Sequence, residues 1–287
     1  MFREEGLMDK AIFFGVFDFV NFHVCKTLLE EGIEVKGIHV ENKERIHYLE
    51  EKRFEVGRNA NFHEQTLVER DEQVDSGATI VFSLYDLFMN FNEGILRNEH
   101  VTKPIIEFLK NNQNNNILVA LLLPAQMAEY SNDTKAFRNL NDFFQQLRAV
   151  ASKLQLIYLP TVYGPWQPNT FLFQQAILKR MNLCEDLKEI REGTMDALFV
   201  DDAVQAMLGI FERGLPGSFY LESGRKDQWQ RCAAFLNMDK NLGKKNKRQL
   251  VLDEEKIKRV PIKNAAPIAD SLTIQTEHLQ RLLNQEL

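Results

Sequence analysis

Apolar and polar positions alternate in blocks whose period changes along the chain. Ala11–Phe14 is a short apolar run closed by Gly15. From Phe19 to Leu29 apolar residues recur at helical spacing, at Phe19, at Phe22 or His23, at Cys25 or Lys26, and at Leu29. Glu30-Glu31-Gly32 closes that segment with a C-terminal glycine, and Val35–Val40 is a second strand. The pattern predicts strand, tight turn, helix, turn, strand. Further on, Ala78–Leu84 and Ile117–Leu123 read as buried strands, the second as a central parallel one. Glu99–Lys110 is an amphipathic helix with Val101, Ile105, Ile106, Phe108 and Leu109 on its apolar face. Asn111–Asn116 is a loop, and Thr134–Leu154 is a long helix with Phe137, Leu140, Phe143, Phe144, Leu147 and Val150 on its apolar side. Phe171–Met181, Lys226–Leu236 and Ser271–Leu283 are further helices. Between His39 and Glu72 the pattern weakens: Glu41–Lys52 reads as a short charged helix, Arg53–Val56 and Thr66–Val68 as edge strands.

Composition narrows the class without naming a chemistry. The 287 residues are 44% hydrophobic and 26% charged, ordinary for a globular protein. A net charge of −6 disfavours nucleic acid as a partner. No apolar run approaches the ~18 residues of a membrane span, and the charged start MFREEGLMDK has no apolar signal core. Three scattered cysteines, Cys25, Cys184 and Cys232, fit a reducing cytoplasm better than a disulfide framework. The six histidines show no metal-binding spacing, so no metal site is expected. Leu242–Arg248 contains a basic run that reads as a solvated loop.

Four stretches share a frame. Gly15, Asp18 and Asn21 stand at the positions of a G-x-x-G-x-x-G turn, and His39 ends the second strand. Val162-Tyr163-Gly164-Pro165 follows a strand, Met195–Ala206 reads MDALFVDDAVQA, and Gly217–Gly224 reads GSFYLESG. Together they resemble the extended short-chain dehydrogenase/reductases, the NAD-dependent epimerase/dehydratase family, over about residues 10 to 285. The resemblance implies an α/β fold: a Rossmann-type doubly wound parallel sheet with a small C-terminal α/β lobe. It implies a nucleotide-binding-fold region over 1–165 and a substrate-type lobe over 166–287, interleaved as one unit.

The chain departs from that family at the positions that carry its chemistry. The three glycines of the turn allow a sharp bend, close approach to a pyrophosphate, and tight helix–strand packing. Only Gly15 remains. Asp18 brings a negative charge toward a diphosphate, or serves as N-cap of the first helix. Asn21 adds bulk, and His39 replaces the acid that would hold the ribose. The expected strand-end serines are Leu121, Leu122 and Leu123. The expected Tyr-x-x-x-Lys reads Ser131 to Lys135, with Tyr130 one residue out of register, a rotation of about 100° on a helix. The diphosphate arginine is Met195, with Arg191 the nearest alternative cation; Asp201 and Asp202 are expected to cap the helix that follows. These losses predict a non-catalytic member with no cofactor, binding a small molecule or a protein. The alternative is an NAD(P)-dependent epimerase, dehydratase or reductase using Tyr130 and Lys135. The family also implies a homodimer through helices 99–110 and 134–154.

Overall fold

The first strand, β1 (Lys10–Phe14), is buried over Ala11–Phe14, so neither of its faces meets water. A strand of that kind belongs inside a sheet covered on both sides. In the computed structural model, which describes residues 8–40, 48–71, 73–128, 134–184, 190–239 and 255–285, β1 is flanked in parallel by β2 (Glu34–His39) and by β4 (Thr79–Ser83). The remaining strands are β3 (Phe62–Thr66), β4 (Thr79–Ser83), β5 (Leu118–Pro124), β6 (Lys153–Leu159), β7 (Thr161–Tyr163), β8 (Ala197–Phe199), β9 (Gly217–Glu222) and β10 (Ile257–Pro261). Eight of them form one sheet in the order β10-β9-β6-β5-β4-β1-β2-β3, every neighbouring pair parallel; β7 and β8 form a separate pair. The winding reverses between β1 and β4. In sheets of this type that reversal opens a crevice at the carboxyl ends of the strands.

The helices are α1 (Phe19–Glu30), α2 (Leu49–Val56), α3 (Leu84–Met89), α4 (Glu99–Asn111), α5 (Lys135–Val150), α6 (Leu172–Arg180), α7 (Val200–Phe211), α8 (Gln228–Phe235) and α9 (Ile268–Gln285). α1 packs with α2 and α7, whereas α3, α4 and α5 pack among themselves. α1 buries nine of its twelve residues, polar Asn21 and His23 included, because it lies between the sheet and α7. α4 and α5 are amphipathic with their apolar sides turned inward: Val101, Ile105, Phe108, Leu140, Phe143 and Leu147 are buried. Phe137 and Phe144 are partly buried against the same core.

Several sequence expectations are corrected. Arg53–Val56 is the last turn of α2, not a strand; one face turns Lys52 and Val56 inward while Arg53 pairs with Glu50 at 2.7 Å. The edge strand runs Phe62–Thr66, in register with Val35–His39, and Thr66 then starts a turn by accepting the Glu69 N–H. The long helix stops at Val150, where Gln113 Nε2 donates to the Val150 carbonyl, and Leu154 belongs to β6 opposite Val119. An apolar residue at 154 satisfies either period, so pattern alone placed it in the helix. Asp201 and Asp202 lie in the first turn of α7 rather than capping it; the N-cap is Phe199. α3 and β10 carried no signal in the pattern. The basic run 242–248 lies outside the described residues.

The C-terminal part of the chain is held to the sheet by the Val162–Pro165 stretch. Tyr163 is buried, and its hydroxyl shares a 2.9 Å hydrogen bond with Ser271 of α9. Gly164 has φ +151°, and a Cβ there would lie 2.5 Å from Val200 Cγ1. Only glycine lets the chain pass so close to α7 in this conformation. Gly164→Ala should therefore cost about 1–3 kcal/mol. Urea unfolding would show it as a lower midpoint at unchanged m; an unmoved midpoint contradicts the packing.

Candidate functional site

The site forms where β1 leaves the sheet. Gly15 takes φ +75°, and a Cβ there would fall on Asp18 Oδ2, so this glycine is required by its own turn. The Asp18 N–H donates to the Gly15 carbonyl at 3.0 Å, and α1 follows. Asp18 stands at the N-cap position with extended backbone, yet its side chain accepts no capping hydrogen bond. The N-cap reading of Asp18 is thus right in position and wrong in function. The capping carboxylate comes from Asp86 of α3, which accepts the Val20 N–H at 3.0 Å and the Asn21 N–H at 3.5 Å. Asp86 is itself fully buried, and its own N–H donates to Ser83 Oγ at 3.1 Å.

Asn21 is a tie rather than bulk. Its Nδ2 donates to the carbonyls of Phe14 at 3.0 Å and Gly15 at 3.1 Å, binding helix to strand end. Lys52 reaches in from α2 and donates to the Phe17 carbonyl at 2.7 Å, with its ammonium 5.4 Å from the Phe22 ring centre. Burial, with Asp86 nearby, raises the Asp18 carboxyl well above the usual carboxylate range, and Lys52 only partly offsets this. Burial likewise raises Asp86 against its hydrogen bonds. Lys52 is pushed down to about 8 by burial, against the pull of both carboxyls.

His39 ends β2 as expected, but it is buried against Glu64 of β3, with Nε2 2.6 Å from Glu64 Oε1. Arg53 also holds Glu64, at 2.6 Å. Burial raises the Glu64 carboxyl, but the hydrogen bonds from Arg53 and His39 outweigh it and leave Glu64 below the usual range. His39 is therefore engaged within the protein.

Above these residues lies a cleft of about 480 Å³, walled by the ends of β1, β2 and β4, by α3 and α4, and by Trp166. Phe17, Phe19 and Phe22 do not fill it: they are packed into the core, though Phe17 and Phe19 are among the residues that line the cleft. Leu121, Leu122 and Leu123 are buried within β5 and offer no proton. Lys135 is exposed on the first turn of α5 and does not line the cleft. Tyr130 and Ser131 lie outside the described residues; α5 is capped instead by Thr134, which accepts the Phe137 N–H. Met195 is exposed. Arg191 forms a two-pronged pair with Glu93, at 2.6 and 3.1 Å, and stacks 4.0 Å from the centre of the Phe91 ring. Tyr85 is buried, and its hydroxyl accepts the Val162 N–H at 2.9 Å. Sequence reasoning missed Asp86, Lys52 and Glu64; each acts on a partner remote in the chain, and no local motif marks them.

No protein-family model and no curated protein matches the sequence. Among solved structures, UDP-glucuronic acid 4-epimerase from Bacillus cereus, in complex with UDP-glucuronic acid and NAD, has a TM-score of 0.67 at 16% identity, covering 95% of this chain and 99% of that one. UDP-glucose 4-epimerase from Thermotoga maritima, with UDP-glucose, has a TM-score of 0.59 at 16% identity, covering 96% and 99%. TunA, an NAD-dependent NDP-hexosamine 5,6-dehydratase involved in tunicamycin biosynthesis, has a TM-score of 0.61 at 14% identity, covering 95% and 98%. The chain has the fold of the NAD-dependent epimerases and dehydratases. At these identities the likeness speaks for the fold alone, and the chemistry must come from this chain's own residues. Its cleft lies at the reversal point where a parallel sheet of this fold receives a ligand. Among the described residues, no cluster of three or more His, Cys, Asp or Glu is placed to hold a metal ion, and no helix is long and apolar enough to cross a membrane.

Two measurements test this electrostatic picture. Removing the Asp86 carboxyl in Asp86→Ala strips the acceptor from two N–H groups of α1 and should cost about 1–2 kcal/mol in urea unfolding; a neutral result would contradict the cap. Glu192 is buried under α6, accepts the Leu172 N–H, and is raised by burial from 4.5 to about 8. The folded chain keeps this proton where the unfolded chain releases it. The resulting stability is complete below about pH 4.5 and is lost as pH rises toward 8, at up to about 1.4 kcal/mol per pH unit. Glu192→Gln should flatten that decline when urea midpoints are compared at pH 5 and 8. Parallel pH curves for the two proteins would contradict it.

Proposed function

We propose that this protein is a non-catalytic member of the epimerase/dehydratase fold that keeps the cleft at the strand ends for binding and has lost NAD-dependent chemistry. The observation that carries the reading is the Asp86 carboxylate on the first turn of α1. A helix N-terminus of this kind binds a phosphate through free N–H groups and a partial positive charge. Here two of those N–H groups are engaged, the positive end is neutralised, and a second carboxyl, Asp18, stands at the turn. A phosphate brought against the Asp86 carboxylate would meet a like charge, and two unit charges ~4 Å apart at an effective dielectric of ~20 interact by about 4 kcal/mol. Lys52 does not offset this for a ligand, because it already serves Phe17, Asp18 and Asp86. The buried leucines of β5 and the pairing of Arg191 with Glu93 point the same way. The residues present therefore do not fit a dinucleotide diphosphate.

A second reading keeps an enzyme: an NAD(P)-dependent epimerase or dehydratase with Tyr130 and Lys135 as its acid–base pair. The open cleft and the NAD named with the Bacillus cereus epimerase favour it. Calorimetric titration with NAD⁺, NADH, NADP⁺ and NADPH separates the two. The non-catalytic reading expects no binding tighter than about 1 mM, equivalent to roughly −4 kcal/mol. Binding tighter than about 100 µM with turnover of a nucleotide sugar, lost in Tyr130→Phe, would establish the enzyme instead.

A further inference from the structure

The charged groups that line the cleft are engaged inside the protein. Lys52 donates to the Phe17 carbonyl, and His39 is held by Glu64. The neutral polar groups are also taken: Asn90 Oδ1 accepts from Thr170 Oγ1 at 2.8 Å, and Ser83 Oγ accepts from the Asp86 N–H. No arginine is among the described lining residues. Asp18 differs from the others. It is half-buried, its carboxyl does not cap α1, and it lies in the cleft wall beside Gly15. Much of the rest of the lining is apolar, with seven aromatic residues among it. Phe14 and Phe82 stack at 4.6 Å, Phe143 meets Phe82 edge-on at 6.3 Å, and Phe17, Phe19, Phe91 and Trp166 are the other aromatic residues of the lining. A 480 Å³ cleft with a largely apolar lining and one polar side chain not spent on the protein's own hydrogen bonds has the size and make-up of a small-molecule site.

We propose that the cleft takes a flat, uncharged, largely apolar small molecule, packed between the aromatic walls and hydrogen-bonded at one end to Asp18. The assignment rests on the non-catalytic reading above and names its ligand class. A charged ligand would lose hydration without finding an opposite charge. A flat aromatic one finds ring faces and edges already in place. The raised carboxyl of Asp18 suits the site to uncharged partners, since its neutral form both donates and accepts a hydrogen bond.

The test uses N-phenyl-1-naphthylamine, an uncharged aromatic amine whose emission rises in apolar surroundings. Trp166 lines the cleft, and Trp229, the other tryptophan, is buried away from it, so quenching of Trp166 reports where the probe sits. The expected result is saturable one-site binding in the roughly 1–50 µM range, with tryptophan quenching that is lost in Trp166→Phe. Leu87→Trp, which fills the cleft, should weaken binding at least about tenfold with an unchanged far-UV spectrum. Asp18→Asn, which keeps a donor and an acceptor, should retain it. Phe235→Ser, at an exposed position outside the cleft, should leave it unchanged. Non-saturating uptake, or binding indifferent to Leu87→Trp, overturns the inference. Absence of both probe and NADH binding overturns it and leaves the non-catalytic reading standing. Displacement of bound probe by NADH near 100 µM overturns that reading first, and the uncharged-ligand assignment with it.

Discussion

A helix that begins at a strand end leaves N–H groups in its first turn that need acceptors. In α1 the acceptor is a side chain from another element, because Asp86 belongs to α3, which starts as β4 ends. This one interaction joins β4 to the turn after β1 across the point where the sheet reverses. Its charge is buried, so it needs compensation, and Lys52 supplies this from α2 while holding the Phe17 carbonyl. Asn21 closes the same knot by donating to the carbonyls of Phe14, at the end of β1, and of Gly15. The turn is therefore stiffened from the sheet and from α2 as well as from α1 itself. A turn built to receive an anion would leave these donors open.

The far wall of the cleft is held just as firmly. Tyr85 receives the Val162 N–H, Tyr163 meets Ser271, and Gln167 Nε2 donates to the Val162 carbonyl at 2.8 Å. Gln275 of α9 then reaches both Gln167 and Gln174, at 2.7 and 2.8 Å. His23 on α1 lies 2.9 Å from the Pro165 carbonyl and 3.2 Å from Asp201 of α7. These bonds bring Trp166 over the cleft, where it packs on Phe22 and His278. His278 is pushed down to about 4 by burial first and by surrounding positive charges second, so it sits beside that ring as a neutral group at pH 7. The cleft is thus a built cavity, and a ligand entering it would not have to order these walls.

Replacing a glycine-rich turn by Gly15, Asp18 and Asn21 changes what the turn can hold without changing where it lies. Gly15 still bends the chain, and the register of β1 against β2 and β4 is that of an intact parallel sheet. Asp18 and Asn21 occupy space that a phosphate would need, and Asp86 takes the N–H donors. The fold and the proposed non-catalytic role are therefore compatible, since strand burial maintains the one and a few side chains at the strand ends bear on the other.

The sequence by itself determined much of the succession of strands and helices, though not α3, along with the βαβ opening, the Val162–Pro165 junction and the absence of serines at the end of β5. Periodicity, turn glycines and missing hydroxyls are local properties that survive without knowledge of neighbours. It misplaced Arg53–Val56 and Leu154, where apolar residues fit either period, and gave no sign of β10, whose core-facing content is little more than Ile257. Only the tertiary structure decided what the candidate residues do. Asp86 caps a helix that begins 67 residues earlier in the chain, Lys52 serves a carbonyl 35 residues away, and Glu64 engages His39 from the next strand. Long-range electrostatic partners are set by which strands lie side by side, and no spacing within one segment encodes that.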